Sequence, residues 1–162
     1  MTNYLLPQTT KEAVFLLGPP AAGKSTTRQK LYPTYQVIDP DEIKKGLDGY
    51  DPKNPSTVHT ESKIIAREMF ENMIGGNESF VYDTTGGNHK RMIREMYEAH
   101  EKGFTITILQ VTCPLDECLK RNRIRDRTVP DRIVREIWQE VEEVTSKILP
   151  HSDHHILIDT SR

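Results

Sequence analysis

Residues 13–27 read AVFLLGPPAAGKSTT: an apolar run, a glycine- and proline-rich break, then a lysine and three hydroxyl residues. A short apolar run bounded by turn residues predicts a buried strand, and the chain after Gly23 is free to start a helix. Strand, tight loop and helix together are half of a strand–helix–strand unit, which commits the chain to parallel pairing with helices on the sheet faces. The rest of the sequence repeats that alternation. β-favouring runs fall at 35–38, 79–83, 104–111 and 155–159. Helical patterns fill the intervals: Lys24 to about Leu31, Asp41 to about Leu47, about Thr57 to Ile74, about Lys90 to Lys102, one from Leu115, and Pro130 to about Leu149. Ile65, Met69 and Met73 recur at fourth positions, as do Ala66, Phe70 and Ile74, while Val134, Ile137, Trp138, Val141 and Ile148 share one face of the last helix. Five strands alternating with helices predict an α/β fold in three layers, with a mostly parallel sheet. Ligands of such sheets bind at the carboxyl ends of the strands, so residues that carry chemistry should lie just past each strand.

The chain of 162 residues is read as one domain, residues 1–162. With 35% hydrophobic and 28% charged residues, its composition is that of a globular protein. The longest apolar stretch, Ala13 to Leu17, is too short to span a membrane, and MTNYLLPQTTK lacks the pattern of a secretion signal, so a cytoplasmic location is expected. Cys113 and Cys118 are expected as buried thiols. Net charge is −2, yet Lys120 to Arg135 holds seven Lys/Arg against two Asp/Glu. A basic island in an otherwise acidic chain predicts local recognition of an anion.

Gly18, four intervening residues and Gly23-Lys24-Ser25 match G-x-x-x-x-G-K-[ST], in the strand-to-helix context that the motif requires. In such a loop backbone N–H groups turn inward around phosphate oxygens, and the helix N-terminus adds partial positive charge. The expected nucleotide contacts are Gly18, Ala21, Ala22, Gly23, Lys24, Ser25 and Thr26. Lys24 would reach the β- and γ-phosphates and Ser25 would ligate Mg²⁺. The guanine-reading N-K-x-D of GTPases is absent from the sequence, and a large AAA-type machine would need more chain, which leaves a small phosphotransferase.

Asp39 and Asp41 follow the second strand. Transfer to an alcohol needs a carboxylate that takes the hydroxyl proton, and Asp41 is the candidate base, with a helix N-cap as its other reading; Asp39 is read as a cap. Lys44, one turn on, could face an anionic acceptor. Asp83 ends the third strand and is expected to orient the magnesium shell, with Thr84, Thr85 and Asn88 on the acceptor side. Arg121, Arg123, Arg125 and Arg127 form a lid at about 120–130 that would stabilise the charge on a transferring phosphoryl group; if helical, Arg121 and Arg125 share a face.

The segments GPPAAGKSTT, IDPDEIK, VYDTTGGN and KRNRIRDRTVPDRIV occur in an order that resembles the P-loop kinases that include polynucleotide 5′-kinases and zeta toxins. The resemblance covers nearly the whole chain. It implies a P-loop kinase fold using ATP and Mg²⁺, Asp41 as general base, Lys44 against an acceptor phosphate, Asp83 at the metal, and Arg121 and Arg125 as the lid's nucleotide-binding and catalytic arginines. The bifunctional members' phosphatase domain has no counterpart here. The stretch VHTES is similar to zeta toxins, which implies that His59 and Glu61 help hold a nucleotide sugar. The acceptor is therefore expected to be a nucleic-acid hydroxyl (a 5′-end or a hydroxymethylated base) or a hydroxyl of a nucleotide-containing small molecule. No membrane or obligate protein partner is expected.

Overall fold

A computed structural model describes residues 10–84, 88–125 and 128–161. The strands are β1 (Glu12–Leu17), β2 (Gln36–Ile38), β3 (Phe80–Asp83), β4 (Thr105–Thr112) and β5 (His154–Asp159). The helices are α1 (Lys24–Leu31), α2 (Pro40–Lys45), α3 (His59–Ile74), α4 (His89–Glu101), α5 (Leu115–Ile124) and α6 (Asp131–Ile148). All pairings are parallel, and the strand order is β2-β3-β1-β4-β5. The predicted α/β architecture with a five-stranded parallel sheet is therefore present, with element ends shifted by one or two residues.

Alternation along the strands sorts the core into two layers. Phe15 and Leu17 of β1, Tyr82 of β3 and Ile106 and Ile108 of β4 pack against α3, α4 and the second half of α6. Val14 and Leu16, Val81, and Leu109 and Val111 point the other way, toward Leu119 of α5 and Val134 of α6. In α3 the buried residues Ser62, Ala66, Phe70 and Ile74 recur every four positions, as an amphipathic helix on a sheet requires. Phe70 lies 5.6 Å from the Tyr82 ring and 6.0 Å from Phe80, so aromatic packing fixes β3 directly beneath Asp83.

Two expectations are corrected. Cys113 and Cys118 are not free thiols. They form a disulfide with Cα atoms 6.1 Å apart, tying the end of β4 to α5. The tight strand-to-helix turn folds the sixth residue back over the first, a geometry that compartment reasoning does not address. The arginine run does not continue as a helix either: α5 stops at Ile124, and Arg125 is extended at φ −86°, ψ 157°. Arg121 and Arg125 therefore do not share a helical face.

No helix among the described residues is long and apolar enough to cross a membrane.

Candidate active site

β1 is central, and the loop leaving it opens between β3 and β4. Gly18 must be glycine: a Cβ there would sit 2.3 Å from the Val111 carbonyl oxygen of β4. The loop then turns through two left-handed residues, Ala21 at φ 64° and Gly23 at φ 96°. Gly23 suits that region; Ala21 adopts it at a cost of about 1 kcal/mol or more, a strain typical of functional loops. Gly23 is also the N-cap of α1 and offers no side-chain cap, so the first-turn N–H groups are left to a ligand. Lys24 folds back over the loop, its Nζ donating to the Gly18 carbonyl at 2.9 Å.

The loop, α2, the end of β3 and the lid enclose a cavity of about 710 Å³. Every residue expected in the phosphate cradle lines it: Gly18, Ala21, Ala22, Gly23, Lys24, Ser25 and Thr26. Asp41, Lys44, His59 and Asp83 line it too, with Arg121 and Arg125. Gly18 and Asp83, 65 positions apart in the chain, thus line one cavity because β1 and β3 pair in register and end at one level of the sheet.

Asp39 caps α2: its Oδ1 accepts from the backbone N–H of Asp41 at 2.9 Å and of Glu42 at 3.4 Å. Burial, then the Asp41 charge, pushes its carboxyl above the usual range. Asp39 and Asp41 both line the cavity, and the Asp39 carboxylate is the one that caps α2. Lys44 is buried in the same wall. Asp83 is 6% exposed and lies opposite Leu16 in the β1–β3 register. Thr84 locks that register, donating from both N and Oγ1 to the Leu16 carbonyl at 3.0 Å. It works as a strand clamp and is not part of the cavity lining.

Other expected acceptor residues separate. His59, at the start of α3, reaches the cavity. Burial and then the charges of Lys44, Lys63 and Arg91 lower its pKa, which favours the neutral imidazole as a hydrogen-bonding group. Glu61 is exposed and lies outside the lining, and Asn88 is the N-cap of α4, accepting from Arg91 N at 3.1 Å. Thr85 and Arg127 lie outside the described residues. Arg123 is a surface partner of Asp131 at 2.7 Å.

Four features take roles that the sequence motifs do not assign. Val129, Ile133 and Ile137 form an apolar wall of the cavity. Buried Asn122 clamps the two arms of the lid, donating to the Val129 carbonyl at 2.7 Å and accepting from Val129 N at 3.2 Å. Thr160 joins the cradle to Arg121. Behind β3, Glu95 is 1% exposed and accepts from Arg67 at 3.3 Å and Arg91 at 3.2 Å, while Arg91 also donates to the Tyr82 hydroxyl at 3.2 Å. This network ties α3 to α4 under the strand that carries Asp83.

Solved structures share this fold. One is the AvrRxo1-ORF1:AvrRxo1-ORF2 complex, at TM-score 0.74 and 20% identity over 94% of this chain and 55% of that one. The same pair has been solved with ATP. A proposed kinase from Chloroflexus aurantiacus aligns at TM-score 0.67 and 18% identity, over 94% and 89% of the two chains. A third is in the Pnkp1/Rnl/Hen1 RNA repair complex, at TM-score 0.65 and 15% identity over 85% and 46%. The chain thus spans about half the length of the first of these structures. At such identities the likeness is one of fold, and the fold is that of the P-loop kinases. No curated protein matches the sequence significantly. A large AAA-type machine is not expected, yet the family that matches carries the AAA name. Residues 14–147 match the AAA domain family AAA_33, and the chain belongs to it.

Proposed function

We propose that the protein is an ATP-dependent kinase that transfers the γ-phosphoryl group to a hydroxyl on nucleic acid, either a 5′-end or a hydroxymethylated base. The observation that carries this reading is the lining of one cavity. A phosphate cradle, a candidate base, a buried strand-end carboxylate and two arginines meet there, and Val129, Ile133 and Ile137 add an apolar patch to the lining. Cradle and arginines suit the triphosphate, and the apolar patch suits the ring of a nucleobase beside the reacting hydroxyl. A second cavity of about 430 Å³, lined by Gly23, Thr27, Leu31, Arg121, Ile158 and Thr160, adjoins the cradle and would take the base of ATP.

Asp41 accepts the acceptor hydroxyl's proton as its oxygen bonds to the γ-phosphorus. The bond from that phosphorus to the β–γ bridging oxygen breaks, and ADP leaves. Lys24 follows the phosphates, and Arg121 and Arg125 hold charge on the transferring group. The hydroxyl of Ser25 and the buried carboxylate of Asp83 are hard oxygen donors on the same cavity, a set that fits Mg²⁺ completed by phosphate oxygens. Bound there, the ion would neutralise phosphate charge.

A second reading is favoured by Ser56, in the turn before α3, and His59, at the start of α3, which line the same cavity. Their reach supports a nucleotide sugar or another small metabolite as acceptor. Offering γ-labelled ATP in parallel to 5′-hydroxyl oligonucleotides, hydroxymethylated DNA and nucleotide sugars separates the two. Label on oligonucleotide or DNA supports the first reading. Label on the sugar alone moves the assignment to the second, and release of phosphate to water with every acceptor overturns both.

A further inference from the structure

Thr160, just past β5, touches three parts of the molecule at once. Its backbone N–H donates to the Thr112 carbonyl at 2.9 Å, extending the β4–β5 ladder. Its hydroxyl donates to the carbonyl of Ala22 in the cradle and accepts from Arg121 Nη1 at 2.9 Å. Its own carbonyl accepts from Arg121 Nη2. Its methyl group lies 3.4 Å from where a Cβ on Gly23 would be, and so backs the left-handed turn at the mouth of α1.

The consequence falls on Arg121. Nε donates to Glu117 at 2.9 Å while Nη1 and Nη2 are held by Thr160. All three nitrogens are engaged along the edge of the guanidinium, which fixes its plane. Arg121 lines both the larger cavity and the smaller one beside it.

We infer that Thr160 is a positioning residue that couples the cradle to Arg121 and so sets nucleotide affinity. The inference rests on the proposed function, in which the cradle holds a nucleoside triphosphate. One hydroxyl fixes the distance between the backbone that wraps the phosphates and the arginine that faces the nucleotide. A site held in its binding geometry beforehand avoids an ordering cost on binding.

Thr160→Val keeps shape and removes the hydroxyl; Thr160→Ser keeps the hydroxyl and removes the methyl; Thr160→Ala guards against misfit of valine. The valine and alanine variants should raise the KM for ATP about tenfold, the weight of one charge-assisted hydrogen bond. Their KM for the acceptor should stay within about twofold of the parent, and serine should restore the parent KM for ATP. Amide hydrogen exchange over residues 18–24, read without nucleotide, should quicken about tenfold in the valine variant and return to the parent rate with serine. An unchanged ATP KM with unchanged exchange overturns the inference, as does a serine variant that recovers neither. A parent protein that binds no nucleoside triphosphate, combined with faster exchange in the valine variant, would defeat the kinase reading and leave the coupling by Thr160 standing.

Discussion

Gly18→Ala is the substitution on which the sheet and the cradle make opposite demands. The added methyl carbon would meet the Val111 carbonyl oxygen at 2.3 Å, the Val111 carbonyl carbon at 3.2 Å and Lys24 Cδ at 3.3 Å. The first two are backbone atoms in the β1–β4 ladder, where Leu17 pairs with Gln110, so they cannot swing away as a side-chain tip can. To reach an ordinary contact of about 3.4 Å or more, the loop must lift off β4 by roughly 1 Å, and overpacking of this kind costs about 1–3 kcal/mol. In a chain of this size each kcal/mol lowers Tm by about 2–4 °C, so a drop of roughly 2–12 °C is expected. Nucleotide affinity should fall further than stability, because the displaced atoms are those that wrap the phosphates and the Lys24 stem moves with them. Gly76→Ala is the control: a Cβ there meets Met73 O at 3.5 Å and Asn72 O at 3.9 Å, both ordinary contacts. Calorimetry and titration with a fluorescent ATP analogue would read both effects. A Gly18→Ala protein with parental Tm and parental affinity would refute the packing argument.

Other predictions rest on the supports of the site. Glu95→Ala removes the shared partner of Arg67 and Arg91 and should cost about 3 kcal/mol in chemical denaturation, since it breaks a buried ion-pair network from one side. Asn122→Ala leaves both polar groups of Val129 without their side-chain partner, and should lower stability by about 2 kcal/mol and weaken phosphoryl transfer through the lid. The folded-state pKa of His59 lies below its unfolded value near 6.5, so the unfolded chain binds more protons as pH falls below that value. Parent stability should therefore decline below about pH 6.5 more steeply than that of His59→Gln, as read from paired melting curves. Superimposable pH profiles would contradict the environment described for His59.

Much of this architecture is legible in the sequence because it is periodic. The strands are short apolar runs punctuated by turn residues, and the helices repeat apolar residues at fourth positions, so element order and the parallel sheet follow from spacing. Asp39 reads as a cap because Asp before Pro-Asp-Glu is a local signal, and the structure gives it that role. Contacts made by distant chain are not written locally. Thr160 meets Ala22 across 138 residues only because β5 pairs with β4. The motif explains Gly18 by phosphate wrapping, whereas its closest constraint is the neighbouring strand's carbonyl. Helix phase accounts for Glu61: two residues past His59 turn it about 200° away, so the pair cannot face one cavity. Asn88 stands directly before α4, and its side chain caps that helix. The lid arginines look equivalent in sequence, yet the end of α5 sends Arg123 to solvent and leaves Arg121 and Arg125 at the cavity.

The central claim is that Asp41 takes a proton from an acceptor hydroxyl while the cradle holds ATP. Transfer of γ-label to the preferred acceptor, measured alongside ATP binding for the parent and Asp41→Asn, tests it directly. The account predicts a transfer rate lower by about 10²–10⁴-fold with ATP affinity within a few-fold of the parent. An asparagine variant that transfers label as fast as the parent would contradict it.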